Sequence, residues 1–425
     1  MKKLFKTAVL GLSAAALLPS VVNAAPKFYF GDGKELEIFF MNQLWAVYTM
    51  DRVECGAIDN SGNCTSFTDP KNRADFFLRR SRVGFQGKIN EDLSWRVWFA
   101  YDNVGLDPHT ALAQSSTVQS PDGKKTSKSI GLVSQNSNNQ QFYLWDAYFT
   151  YALNQNWANI TVGYFRPQVG RESITAGFET TGFEKNLTNF YPRQHLVKTG
   201  PGRETGINIG GLYNDEKAKW GINYNFGIFN TDKYKTDKNW NPLLTARVAV
   251  SLGDPEMKKY GMGYKVNYFG KRNGITAAVN YAYQGKTDDF KSNKMLGFDI
   301  LANYKDFNFN FEYDVLSRDF ETGKGTKYDD KVWHVRAGYN FNLPNKTVLE
   351  PTVNYSELKA DGGSSPNGNG KFKVMDIGLN WYIKQNNIKL NIHYVKQDGD
   401  AKSPYSWYGK DKAGDYVGVG LQLIF

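Results

Sequence analysis

The chain has 425 residues, of which 15% are aromatic, a formal net charge of +10 and a mean hydropathy of −0.54. Its 52 basic residues are dispersed among 42 acidic ones, which argues against a nucleic-acid-binding protein. Beyond the N-terminus the longest apolar run is residues 44–48, whereas a membrane helix needs about 20 apolar residues. If such a chain spans a membrane, it must do so with strands.

The N-terminus has the pattern of a secretory signal peptide. Residues 1–6 are basic, the segment from Thr7 to Leu18 is small and apolar, and Ala24 ends a small-x-small cleavage site. We therefore predict a signal peptide at 1–24 and a single mature domain at 25–425. An uncleaved membrane anchor is the alternative, which the short apolar segment disfavours.

Two cysteines, Cys55 and Cys64, flank a polar stretch that contains no histidine. An exported protein meets an oxidising compartment, so the pattern favours a disulfide that closes one surface loop. A reactive pair or a metal site is the alternative, and a metal site would need further ligands nearby.

The mature chain alternates apolar and polar side chains, as a strand with two unlike faces requires. From Trp220 to Ile228 the even-numbered residues are apolar and the odd-numbered ones are Gly or Asn, and the segments 307–315, 375–383 and 388–394 repeat the pattern. Soluble β-sandwiches and propellers also alternate, but their strands are usually shorter and their outward face is polar. The pattern predicts an all-β, transmembrane antiparallel barrel.

Sixteen strands are predicted, an even number that leaves both chain ends on the periplasmic side: 36–50, 74–89, 93–103, 141–153, 157–166, 203–214, 218–230, 242–252, 274–287, 294–305, 307–320, 331–342, 347–360, 371–384, 387–398 and 415–425. The segment 261–270 is ambiguous, because it fits either a periplasmic excursion or part of an eighteen-stranded barrel. A barrel of either size is wide enough for an aqueous channel.

Connection lengths and the C-terminus support an outer-membrane barrel. Tight links at 90–92, 154–156, 343–346 and 385–387 alternate with long polar loops at 51–73, 104–140, 167–202 and 399–414. The last strand places Leu421, Leu423 and Phe425 on one face. This ending resembles the signal by which the barrel-assembly machinery recognises its substrates, which implies a protein surrounded by outer-membrane lipid.

Several segments together resemble the phosphate-selective porin O/P family over most of the mature chain. They are Phe76 to Phe85, Asp146 to Tyr148 with Val162 to Pro167, Gly170 with Glu172, and Asp254 to Glu256 with Tyr268 to Lys271. The resemblance implies a homotrimer, sixteen strands, and a third loop, 167–202, that folds into the pore. It also implies that the pair Arg79 and Arg80 lines an anion path.

Side-chain parity tests that assignment. Arg80 and Arg82 share the inward face of their strand, whereas Arg79 has outward parity and would reach the pore only through a bulge or near the strand's extracellular end. In and around the third loop, basic residues outnumber acidic ones. The candidate anion-binding residues are Arg79, Arg80, Arg82, Arg171, Arg193, Lys198 and Arg203. The alternative is that these arginines balance lumen acids, and the mixed charge of the inferred lumen predicts weak bulk selectivity.

We therefore expect an outer-membrane porin, a passive channel for small hydrophilic solutes with a preference for anions such as phosphate. No enzyme signature was recognised, the histidines are widely separated, and no cofactor or metal is expected. The alternative is a structural or partner-binding barrel, such as the sheath of an electron-transfer conduit or an adhesin.

Overall fold

The computed structural model describes residues 25–59, 64–112, 115–119, 125–129, 142–197, 201–231, 241–401 and 412–425, so the predicted signal peptide lies outside the described residues. Sixteen of the described strands form the wall of a closed antiparallel barrel. Numbered in chain order, they are β1 (Lys34–Met50), β2 (Arg73–Lys88), β3 (Leu93–Ala100), β4 (Tyr143–Asn154), β5 (Ala158–Phe165), β6 (Glu204–Asp215), β7 (Trp220–Phe229), β8 (Leu243–Gly253), β9 (Gly274–Gln284), β10 (Phe290–Tyr304), β11 (Phe307–Phe320), β12 (Tyr328–Tyr339), β13 (Val348–Asp361), β14 (Asn369–Lys384), β15 (Ile388–Gly399) and β16 (Asp415–Ile424).

The strands follow the two-residue periodicity of the sequence. In β7, Phe226 and Ile228 are exposed on the outer surface, whereas Asn225 is 1% exposed on the inner one. Neighbouring β8 continues this outer surface with Leu244, Val248 and Val250. Apolar side chains thus form the outer band and amides the inner wall, an arrangement that suits lipid outside and water inside.

The barrel closes between its first and last strands. β1 pairs with β16 from Met41↔Ile424 to Met50↔Asp415, and on its other edge it pairs with β2. Closure satisfies the backbone groups of both edges, which an open sheet in lipid would leave unpaired. The terminal Phe425 exchanges backbone hydrogen bonds with Phe40, and the two rings lie 5.0 Å apart.

The structure confirms the predicted sixteen-strand wall, and the eighteen-strand alternative is wrong. The sheet contains two further short strands, but neither is an additional strand of the barrel wall. Lys27–Phe30 forms a hairpin with β1, and Phe341–Asn342 continues the line of β12 along β13. Within the ambiguous segment 261–270 only an isolated bridge at Tyr264 is formed.

The connections differ at the two rims. The rim that carries both termini has tight turns, such as that between β10 and β11, with the exception of the long segment 254–273 between β8 and β9. The opposite rim carries the long loops, among them a small hairpin of Glu54–Ile58 and Cys64–Thr68 in which Cys55 and Cys64 form a disulfide. Among the described residues, no helix combines the length and apolar character needed to cross a bilayer.

Candidate pore constriction

The third long loop, 166–203, folds into the barrel over its described residues 166–197 and 201–203, and it carries two helices, α1 (Arg171–Ile174) and α2 (Leu187–Val197). In α2, Leu187, Phe190 and Leu196 are almost fully buried. They belong to one apolar cluster with inward side chains of β8 to β13, such as Leu243, Ala282, Met295, Leu316, Val332 and Leu358. This packing holds α2 against the inner wall of the barrel from β8 to β13.

Polar contacts attach the same loop to the barrel wall further from the long-loop rim. Glu172 accepts a hydrogen bond of 2.9 Å from Arg336, and the backbone amide of Phe183 donates to Asp376 over 2.8 Å. Burial alone would raise the pKa of Glu172, but nearby basic groups, Arg336 foremost, and the backbone amide of Asn186 together outweigh it and lower the pKa to about 2. Glu172 is therefore ionised at neutral pH and anchors the loop.

A second segment enters the lumen from the rim that carries the termini. In this segment, 254–273, the Tyr260 and Tyr264 hydroxyls donate to Asn225 and Asn223 over 2.7 and 2.8 Å. The side chain of Lys265 lies 3.6 Å from Glu179 of the third loop. The predicted periplasmic excursion is thus an inward-folded segment that meets the third loop inside the barrel.

Arg171 joins the two inner segments to the wall. Its guanidinium is fully buried, donates to Asp299 over 2.7 Å, and also pairs with Glu256 of the segment 254–273. Arg247 contacts the same Asp299 carboxylate at 2.8 Å. The two carboxylates raise the pKa of Arg171 against the opposing effect of burial, so this residue is a charged structural link.

Between the third loop and the wall of β2 to β5 lies a cavity of about 280 Å³. Cations outnumber acids in its lining. The cations are Arg79, Arg80, Arg82, Arg96, Arg166, Lys185, Arg193, Arg203 and Lys265, and the acids are Asp102, Asp146, Glu179 and Glu184. Because field lines concentrate in a narrow passage between low-dielectric walls, this excess attracts anions.

Two β-bulges turn an additional side chain toward this cavity. In β2 the pairing with β1 shifts between Arg80 and Leu78, so that Arg79 is the extra residue and both arginines are buried. In β4 the pairing with β3 shifts between Asp146 and Leu144, which likewise turns Trp145 inward. The bulge accounts for the inward position of Arg79 despite its outward parity.

Arg79 and Arg80 share one carboxylate from the third loop. Nε of Arg79 donates to Glu184 over 2.7 Å, and Arg80 binds the other oxygen of the same carboxylate. Burial opposes ionisation of Glu184, but the two guanidinium groups outweigh it and lower its pKa to about 2. The arginine pair therefore holds the tip of the loop and keeps a part of its positive charge uncompensated.

Arg82 and Arg203 both stack on the bulged Trp145. Their guanidinium carbons lie 3.5 and 3.7 Å from the ring centroid, and each also donates to one acid, Arg82 to Asp102 and Arg203 to Asp146. Cation–π stacking orients an arginine while leaving some of its donors available. The two arginines are thereby held in fixed positions on the cavity wall.

Two further arginines, Arg96 and Arg193, belong to the cavity wall. Arg96 lies 4.3 Å above the Trp98 ring and donates to Gln86 over 2.9 Å. Arg193 extends from α2 past Gly202, which has a φ of 67°, and a Cβ at this glycine would lie 1.8 Å from Cδ of Arg193. Position 202 thus requires glycine for its backbone conformation and for the passage of the Arg193 side chain.

Of the predicted site residues, Arg79, Arg80, Arg82, Arg193 and Arg203 line the cavity. Arg171 does not, because two carboxylates hold it elsewhere, and this part of the sequence-based site is corrected. Lys198 lies outside the described residues. The sequence prediction missed Lys185, Trp145 and Lys265, which also line the cavity. For Trp145 the sequence offered one local signal, its position next to Asp146, which was expected to face inward.

Comparison with known proteins gives one family. The family model described as phosphate-selective porin O and P matches residues 58–425. No curated protein sequence matches the chain significantly.

Solved structures with the same fold are distant in sequence. The anion-selective porin from Comamonas acidovorans superposes with a TM-score of 0.54 at 13% identity, over 92% of this chain and 100% of that one. Salmonella typhi OmpF in complex with daunomycin gives 0.51 at 14% identity, over 94% and 100%. The outer membrane channel DcaP of Acinetobacter baumannii gives 0.50 at 15% identity, over 95% and 100%.

Proposed function

Because the chain belongs to the phosphate-selective porin O and P family, we propose that it is an outer-membrane porin, a water-filled passive channel for small hydrophilic solutes that prefers anions, phosphate among them. Its family and its barrel fold indicate the outer membrane. We expect the signal peptide to direct export of the chain and to be cleaved, and we expect the mature protein to form a homotrimer.

The arginine-rich constriction carries the proposal. Its cations come from two wall strands, β2 and β3, from the third loop and from the inward segment 254–273, and they surround one cavity. The four lining acids neutralise only part of this charge, and two of them, Asp102 and Asp146, also fix arginines in place. An anion entering the cavity therefore finds preorganised donors and a positive potential, whereas a cation is repelled.

The contacts between the arginines and their carboxylate partners also explain why an anion would pass through the constriction and not stay bound there. Each of Arg79, Arg80, Arg82 and Arg203 already binds a carboxylate, so a permeating anion competes with an internal partner for their donors. Conduction requires sites that attract an ion and still release it. Partly neutralised arginines meet both requirements.

The occupied lumen argues against the alternative function, a sheath around an electron-transfer protein. The third loop and the segment 254–273 both occupy the lumen, and Arg171 of the loop pairs with Asp299 of the wall and with Glu256 of that segment. A guest protein would have to displace these buried contacts. We therefore favour a channel, and we propose no chemical step.

The test is a planar-bilayer recording of the purified protein under a KCl gradient. We expect stable conductance and a reversal potential of the sign that chloride preference gives, shifted toward cation preference in the double variant Arg80→Ala with Arg82→Ala. The control, Lys34→Ala with Lys88→Ala, removes the same charge from exposed positions at the ends of β1 and β2. No conductance from the folded protein would refute the channel, and equal shifts in both double variants would refute the role of the arginines.

A further inference from the structure

The cavity contains an arginine that its neighbours do not neutralise. Among the described residues Arg166 forms no ion pair, and its Nε atom is buried without a hydrogen-bond acceptor. The charges that act on it most strongly are those of Arg203 and Arg193, with Asp146 as the opposing one. Asp146, however, already accepts a hydrogen bond from Arg203.

A buried guanidinium donor without an acceptor is costly, since a buried polar group normally has a partner. In this cavity the missing partner would have to be negative, because two of the three strongest charges acting on Arg166 are positive. A planar carboxylate can accept two parallel hydrogen bonds from a guanidinium group. The geometry thus favours a carboxylate-bearing solute at Arg166.

The rest of the lining is apolar to an extent that an inorganic anion does not require. Tyr148 of β4, Phe178 of the third loop and Met262 of the inward segment are half-buried and face the same cavity from three elements. The Tyr148 ring lies 5.7 Å from that of Phe165 in an edge-on arrangement. These side chains offer a planar solute an apolar surface next to the cationic one.

The volume leads to the same conclusion. A cavity of about 280 Å³ exceeds what a single tetrahedral anion fills, and it has room for a solute with an acidic group at one end and a ring at the other. Ligand pockets commonly combine a predominantly apolar lining with a few polar groups that orient the ligand.

We propose that this constriction binds and passes aromatic carboxylates, with the carboxylate at Arg166 and Arg203 and the ring against Tyr148, Phe178 and Met262. The proposal rests on the channel function given above and names its preferred solute class. It ranks an organic anion above inorganic phosphate at this position in the pore.

Two measurements on the full-length mature protein test it. Isothermal titration calorimetry in detergent compares benzoate, cyclohexanecarboxylate and inorganic phosphate, and bilayer recording measures how each reduces the chloride current. We expect benzoate to bind at least about tenfold more tightly than phosphate, with cyclohexanecarboxylate between them, because only benzoate offers both bidentate acceptors and an aromatic face. The half-blocking concentrations should follow the same order.

Variants separate the two halves of the site. Tyr148→Leu is expected to weaken benzoate binding about three- to tenfold without a comparable effect on phosphate, and Arg166→Gln to weaken benzoate binding about tenfold. Tyr151→Leu removes a similar ring from the outer face of the same strand and should leave benzoate binding unchanged.

The outcomes distinguish this inference from the channel function. Phosphate binding as tight as benzoate binding, or a Tyr148→Leu variant with unaltered benzoate affinity, would overturn the inference even if the protein conducts chloride. Benzoate binding with the expected order and no bilayer current would support the site and refute the channel.

Discussion

Replacing Glu184 by Gln would remove the carboxylate that partly neutralises the arginine pair at the constriction. Both Arg79 and Arg80 bind this side chain, and its surroundings lower its pKa to about 2, so it is fully charged in the native protein at neutral pH. The amide is nearly isosteric and can still accept a hydrogen bond from one guanidinium. Glu184→Gln thus changes the charge while keeping most of the contact.

The size of the effect follows from Coulomb's law. An ion in the cavity about 8 Å from position 184 interacts with a unit charge by about 0.5 kcal/mol at a dielectric constant of 80 and by about 2 kcal/mol at 20. The local preference for anions over uncharged solutes should rise by about twofold to about thirtyfold. Salt at about 0.1 M screens over about 10 Å and moves the result toward the lower value.

The assay is the reversal potential of the variant channel under a KCl gradient, recorded at low and at high salt. We expect a shift toward stronger anion preference that shrinks as the salt concentration rises. Glu91→Gln, in an exposed turn at the rim that carries the termini, removes the same charge outside the constriction and should cause no such shift. A folded Glu184→Gln channel with unchanged selectivity, or with greater cation preference, would refute the electrostatic reasoning.

Three further results are expected. Burial raises the pKa of Glu179 despite the opposing charge of Lys265, so the negative charge of Glu179 is lost as the pH falls. Reversal potentials should therefore show an anion preference that increases from pH 7 to 5 in the native channel and stays constant in Glu179→Gln. Glu256→Gln breaks one link between the segment 254–273 and the third loop; it should increase current fluctuations and tryptic cleavage of that segment, and unaltered cleavage would contradict this. Phe425→Ala should reduce the folded fraction assembled in lipid vesicles, measured by resistance to added protease, whereas Phe28→Ala, an exposed ring near the other terminus, should not.

The strands could be assigned from the sequence because the alternation that marks each one lies within its own residues. A strand between lipid and water must alternate its side chains, so each of the sixteen strands could be located from its own residues, usually to within a few positions. The ambiguous segment 261–270 carries the same alternation in part, yet its tyrosines bond to Asn223 and Asn225 inside the lumen. Local periodicity could not distinguish an inward-folded loop from a strand.

The site was only partly visible because ion pairing joins residues far apart in the chain. Arg171 and Asp299 are separated by 128 positions, and Arg80 and Glu184 by 104, so nothing near either arginine indicates which one is neutralised. The bulge at Arg79 is likewise a property of strand pairing and has no signature of its own.

By itself the sequence determined a β-barrel with a polar interior and sixteen strands besides the ambiguous segment 261–270, because periodicity and turn length are recorded along the chain. It also supplied an excess of arginine near the third loop. Only the tertiary structure decided which of these arginines face the passage, since that depends on how the loop and the segment 254–273 pack within the lumen. Charge composition belongs to the sequence, whereas the field an ion meets depends on which charges the fold pairs with one another.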